Sequence, residues 1–114
     1  MDKDTSGVLI GAKTYEALQY LNQIIREREI DKSYLTIVSG NPPKKFTINK
    51  SIEKSYNSTF DRAQMILNTK GMDSKTVCET LKIIHHPELG QIALLKVKLY
   101  TGRMHQIRIH LASE

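Results

Sequence analysis

Tryptophan is absent, aromatic residues make up 6% of the chain, and Cys78 is the one cysteine among 114 residues. A lone cysteine excludes an internal disulfide framework. A core without tryptophan has to rest mainly on Leu, Ile and Val. No apolar run approaches the roughly 18 residues of a membrane helix, and the opening MDKDTSGVLI is too poor in apolar residues for a secretory signal. The metal spacings CxxC and HExxH are missing, and so are the phosphate-cradling GxGxxG and GxxxxGKS/T. His85 and His86 point apart as neighbours, with only Glu88 close by, so no metal set is expected. There is no internal repeat and no low-complexity stretch. The expectation is one small, soluble, cytoplasmic domain.

Hydrophobic residues make up 39% of the chain and charged residues 25%, with a net charge of +5. The charge is uneven. Residues 1–42 are net −1, while residues 43–75 carry seven basic groups (Lys44, Lys45, Lys50, Lys54, Arg62, Lys70, Lys75) against three acidic ones. Residues 91–114 add a further +3. Clustered Lys and Arg attract phosphate and speed encounter with nucleic acid; a solvated lysine-rich surface has the same composition.

The apolar run GVLIG at 7–11 predicts a buried strand. Ala17, Leu18, Leu21, Ile24 and Ile25 then fall on one face of a helix over 14–28. Thr14 is its N-cap, Glu16 lies in the first turn, and Arg26 and Arg28 in the last. Strands are predicted at 32–39, 46–52 and 64–69, with a loop at 54–59. Two more, at 75–84 and 91–100, form an antiparallel hairpin around Pro87 and Gly90. Residues 104–112 begin a helix. The order predicts an α+β fold: a mixed, largely antiparallel sheet with helices packed on it. Both ends read as truncated, since nothing precedes the first strand and the last helix stops in mid-pattern. The chain is therefore expected to be part of a longer enzyme.

Several residues could carry chemistry. Asp2 and Asp4 precede a strand, where a carboxylate can act as nucleophile or base; taken alone, a turn aspartate completed by Ser6-Gly7 is the plainer reading. Arg103, His105, Gln106, Arg108 and His110 cluster at a strand–loop–helix junction, which is either an anion site or a basic helix with solvated side chains. Arg108 suits a carboxylate or phosphate because its planar fork bonds twice. Tyr34 sits among Leu35, Ile37 and Val38 and is either a core residue or a stacking platform for a nucleobase. Cys78 reads as a small strand residue.

Three segments together resemble a known family. DKDTSGVLIGAKT at 2–14 looks like the HRLD-x-x-TSG segment, with its following apolar strand, of RluA-type RNA pseudouridine synthases. KSYLTIVSG at 32–40 is similar to their K-x-Y-x-A-x-V-x-G strand. TGRMHQIRIHLA at 101–112 resembles their TGR-x-HQ-I/L-R-x-H motif nearly letter for letter. Order and spacing agree, and residues 64–76 are compatible with the linking region. The His-Arg pair before the aspartate is absent, and Met1 stands where Leu is usual.

The resemblance covers essentially the whole chain and implies that residues 1–114 are part of a synthase catalytic domain. Such enzymes isomerise uridine to pseudouridine in structured ribosomal or transfer RNA, with no cofactor and no metal. Asp2 matches the catalytic aspartate, Tyr34 the active-site tyrosine that packs on the target base, and Arg108 the arginine that pairs with the aspartate. Lys32, Arg103, His105 and Gln106 are the expected RNA contacts. The chain alone is expected to be inactive and prone to self-association through uncovered sheet edges. A non-catalytic RNA-binding module is the alternative reading.

Overall fold

The computed structural model describes residues 2–59 and 61–114; Met1, the departure noted above, lies outside them. The chain divides into two compact units, Met1–Asp31 and Lys32–Glu114.

The first unit is organised by α1 (Tyr15–Arg26). Thr14 caps it as expected, its hydroxyl accepting from the Ala17 N–H at 3.1 Å, with Glu16 in the first turn and Arg26 in the last. The helix is shorter than predicted, because Arg28 adopts a left-handed φ of 60° beyond its end. The strand predicted at 7–11 is not formed. Val8 is 91% exposed, and Leu9 and Ile10 are also open. A strand needs a hydrogen-bonded neighbour, and among the described residues no ladder engages these.

The second unit contains β1 (Lys32–Ser39), β2 (Lys45–Asn49), β3 (Ile52–Asn57), β4 (Arg62–Leu67), β5 (Lys75–His86), β6 (Gly90–Leu99) and α2 (Gln106–Ala112). Four strands form an antiparallel sheet in the order β1-β6-β5-β2, and β3-β4 make a separate two-stranded ribbon. The architecture is α+β with antiparallel sheets, as predicted. β1 has the predicted bounds, and β5-β6 is the predicted hairpin, with His86 opposite Gly90. The loop expected at 54–59 is largely β3. Its polar side chains suit a half-exposed ribbon, and its backbone is paired by β4 in a register that sets Lys54 opposite Met65.

Register decides which residues are buried. Lys32, Tyr34, Thr36 and Val38 lie opposite Leu99, Val97, Leu95 and Ala93, so all eight share one face. Thr76, Cys78, Ile48 and Phe46 continue it. Cys78, Ala93, Leu95, Val97 and Leu99 form the core, against which Val38, Phe46, Ile107 and Leu111 pack. Gly71 fits where no side chain could, since a Cβ would lie 2.6 Å from the Ile52 carbonyl carbon.

Cys78 is fully buried, and burial, with a smaller contribution from the Glu114 carboxylate, pushes its thiol up to about 11. A thiol-specific disulfide reagent at pH 8 is therefore expected to react only after urea is added; full labelling of the native protein within minutes would contradict this. Because the folded protein holds this proton more tightly, the associated stability is intact below the thiol's ordinary range. It is lost as pH rises toward 11.

Candidate active site

The segment joining β6 to α2, Tyr100–His105, is held from beneath by a chain of buried polar groups. His110 is completely buried, and its Nε2 lies 2.8 Å from the Lys50 carbonyl. A carbonyl only accepts, so Nε2 carries the hydrogen and Nδ1 accepts from the Thr76 hydroxyl at 2.8 Å. Thr76 Oγ1 in turn accepts from Gln106 Nε2 at 2.9 Å, and the second amide hydrogen goes to the Lys75 carbonyl at 3.1 Å. Gln106 Oε1 accepts twice, from the Thr101 hydroxyl at 2.8 Å and the Arg103 N–H at 3.0 Å. Thr101 Oγ1 closes the circuit by accepting from the Lys75 N–H at 3.1 Å. One assignment of hydrogens satisfies every member, the condition under which a buried network rigidifies a fold.

Gln106 and His110 are four residues apart and so share one side of α2. They tie the helix to the corner between β2 and β3, to the start of β5 and to the end of β6. The far end of α2 is fastened by Lys50, whose ammonium donates to Ser113 Oγ at 2.9 Å and to Glu114 at 2.6 Å. That contact holds the Glu114 carboxyl below its ordinary range.

The expected site residues divide accordingly. Arg108, two positions from each buried partner, is exposed. Tyr34 lies on the core face of β1, at the sheet edge and opposite Val97, and is 36% exposed. Lys32 starts the same strand, and its ammonium sits so close to Gly102 that a Cβ there would lie 2.9 Å from it. The structure thus brings Lys32 and the Gly102–Arg103 loop together. Arg103 is half-buried, with Nη2 3.5 Å from the Asp73 carbonyl. His105 is exposed and adopts a left-handed conformation (φ 57°) as the residue before α2. Asp2 belongs to the first unit, in a turn closed by the Thr5 N–H donating to its carbonyl at 3.1 Å.

Gln106, expected to contact RNA, is 2% exposed and has its whole amide engaged inside the protein. Its geometry is that of a residue that positions the loop. The Arg103 N–H, one of the donors expected to face an anion, is taken by the same amide. Thr76, Thr101 and the buried role of His110 went unread. The available signal was the four-residue spacing of two polar groups on a helix that also buries Ile107 and Leu111. Among the described residues no cluster of His, Cys, Asp and Glu could hold a metal ion, and no helix is long and apolar enough to cross a membrane.

Comparison with known proteins places this geometry. An "Uncharacterized RNA pseudouridine synthase" of Helicobacter pylori is 35% identical over 114 residues, spanning 99% of this chain and 38% of the relative. Ribosomal large subunit pseudouridine synthase C of Buchnera aphidicola is 37% identical over 97% of this chain and 34% of its own length. The chain thus spans about a third of the curated relatives it matches. Among solved structures, human RNA pseudouridylate synthase domain containing 1 superposes with a TM-score of 0.81 at 28% identity, covering 99% of this chain and 48% of that one. Human RNA pseudouridylate synthase domain containing 4 shares the fold, with a TM-score of 0.75 at 21% identity over 99% of this chain and 44% of that one. The architecture is therefore that of pseudouridylate synthase domains. A family model described as RNA pseudouridylate synthase matches residues 1–113, and the chain belongs to that family, in its RluA-type branch.

Proposed function

We propose that this chain carries the reaction centre of an enzyme that isomerises uridine to pseudouridine in structured ribosomal or transfer RNA in the cytoplasm. The observation that carries the reading is the family match across residues 1–113. The reaction breaks the C1′–N1 glycosidic bond, forms C1′–C5, and exchanges the hydrogen on C5 for one on N1. In this reading the Asp2 carboxylate starts the exchange, by attack at C1′, by removal of a ribose proton or by addition at C6. Tyr34 packs on the flipped base, which has to leave its stack before any of these steps. Arg108 holds the carboxylate with its two-pronged fork. Lys32, Arg103 and His105 grip flanking phosphates, and Gln106 contributes by fixing the loop that presents Arg103.

Because the chain is about a third the length of its relatives, turnover by residues 1–114 alone is expected to be negligible. The test is tritium release from 5-[³H]uridine RNA, which reports loss of the C5 hydrogen. It compares this chain with the chain extended by the flanking segments of the Helicobacter pylori relative. Release by the extended protein that disappears in Asp2→Asn supports the isomerase. RNA binding without release, in wild type and variant alike, supports the binding module.

Leu35 and Ile37 are exposed on an outer strand of the sheet, which supports self-association of the isolated chain. Sedimentation is expected to show the mass rising with concentration; a monomer at every concentration would remove this part of the reading.

A further inference from the structure

The face of the four-stranded sheet opposite Tyr34 carries a second set of charges that the proposed reaction does not use. On this face Lys45 of β2 is opposite Glu79 of β5, which is opposite Lys96 of β6. One row along, Thr47, Val77 and Lys98 are aligned in the same way. Lys75 and Tyr100 lie beyond them, joined by the Tyr100 N–H donating to the Lys75 carbonyl at 3.2 Å. The ammonium groups of Lys75 and Lys98 lie 4.8 Å and 5.5 Å from the centre of the Tyr100 ring. The ring gathers two cations at one place by the attraction of its π face. Lys45, Lys75 and Lys96 are exposed, and Tyr100 is 41% exposed. Among the described residues, three exposed lysines and the half-buried Lys98 thus share this half of the face with one acid, Glu79, and with the exposed Leu35 opposite Lys96.

The exposed cations on this face are Lys45, Lys75 and Lys96, while Lys98 is half-buried with its ammonium at the Tyr100 ring; clustered exposed lysines attract phosphate. Tyr100 is followed directly by the loop that carries Gly102 and Arg103. We propose that this outer face is a second RNA surface, which binds the phosphate backbone of the single strand flanking the target uridine. The proposal rests on the RNA-modifying reading above and extends it to the far side of the sheet. Lys45, Lys75 and Lys96 bind phosphate, and Tyr100 organises the end nearest the loop.

The test is fluorescence anisotropy of the 114-residue chain with a fluorescein-labelled oligouridylate across a salt series. Two triple variants are compared with wild type. One is Lys45→Gln/Lys75→Gln/Lys96→Gln on the face; the other is Lys13→Gln/Lys54→Gln/Lys70→Gln, which removes the same charge elsewhere. Exposed lysine-to-glutamine changes leave folding nearly intact, and matching circular dichroism spectra confirm it. Each phosphate contact in a single strand contributes a slope of about −0.7 in log K against log salt. The face variant is therefore expected to lower the slope by about 2 and the affinity on the order of 100-fold at 0.1 M salt. The control variant should change affinity no more than about 3-fold through its weaker long-range field. Equal losses in the two variants, or displacement of the RNA by polyglutamate as readily as by unlabelled RNA, would overturn the second surface while leaving the RNA reading in place. Failure of the wild-type chain to bind the oligonucleotide even at low salt would overturn both.

Discussion

His110→Ala is expected to destabilise the folded chain by about 3–4 kcal/mol, through two unpaired polar groups and a cavity. The imidazole is fully buried and links the Lys50 carbonyl to the Thr76 hydroxyl. Removing it takes a donor from the first and an acceptor from the second in a place where water does not replace them. With an m-value of about 1–2 kcal/mol per M, the urea midpoint should fall by roughly 2 M. A glutamine at the same position can donate from its amide toward Lys50 and accept from Thr76, so His110→Gln should recover about half of the loss. If alanine and glutamine were equally harmful, the ring's volume rather than its hydrogen bonds would be the important contribution. If neither shifted the midpoint, α2 would not be part of the cooperative unit.

This network also marks the limit of what could be read from sequence. β1 was legible because it is rich in strand-forming residues and closed by Gly40 and Pro42-Pro43, and β5 and β6 because Leu95, Val97 and Leu99 alternate with polar residues and Pro87 and Gly90 mark the connector. The cap of α1 was legible because Thr14 acts on a backbone group three residues away. All of these signals are local. The pairing of Gln106 and His110 with Thr76, Lys75 and Lys50 joins residues 30 to 60 positions apart, and nothing near any one of them announces it. Sequence reading therefore took Gln106 for a surface donor. It also gave 54–59 to a loop, because Lys54, Ser55 and Asn57 have weak strand preference. Pairing with β4 outweighs that preference, as tertiary context commonly does in sheets. The failed strand at 7–11 is the converse: a strong local preference without a neighbour to pair with.

The motif TGRMHQIRIH can now be divided by physical role. Thr101, Gln106 and His110 face inward and hold the loop and helix, while the half-buried Arg103 reaches the Asp73 carbonyl and the side chains of His105 and Arg108 are exposed. A motif of this kind combines a scaffold and a working surface in one short segment. The 3.6-residue period of α2 makes that possible, turning Gln106, Ile107, His110 and Leu111 inward and Arg108 outward.

The proposed reaction-centre residues Asp2 and Arg108 carry the largest expected effects on turnover. In the extended protein, Asp2→Asn should lower tritium release by at least about 10³-fold, the scale seen when the group that starts a reaction is disabled. RNA affinity should stay within a few-fold, since the amide has the shape of the carboxylate and carries no charge to repel phosphate. Arg108→Lys keeps a positive charge but replaces a planar two-pronged donor with a single ammonium. Its expected cost is about 10²-fold in turnover, comparable to removing one well-placed donor from a reaction centre. The decisive measurement is the double variant. If Arg108 acts by holding Asp2, its substitution should cost almost nothing more once Asp2 is already asparagine, because groups that work as a unit do not add. If the losses multiply, Arg108 acts on something else. A phosphate contact would then be revealed by a salt slope shallower by about 0.7 in Arg108→Gln, where the charge is removed altogether.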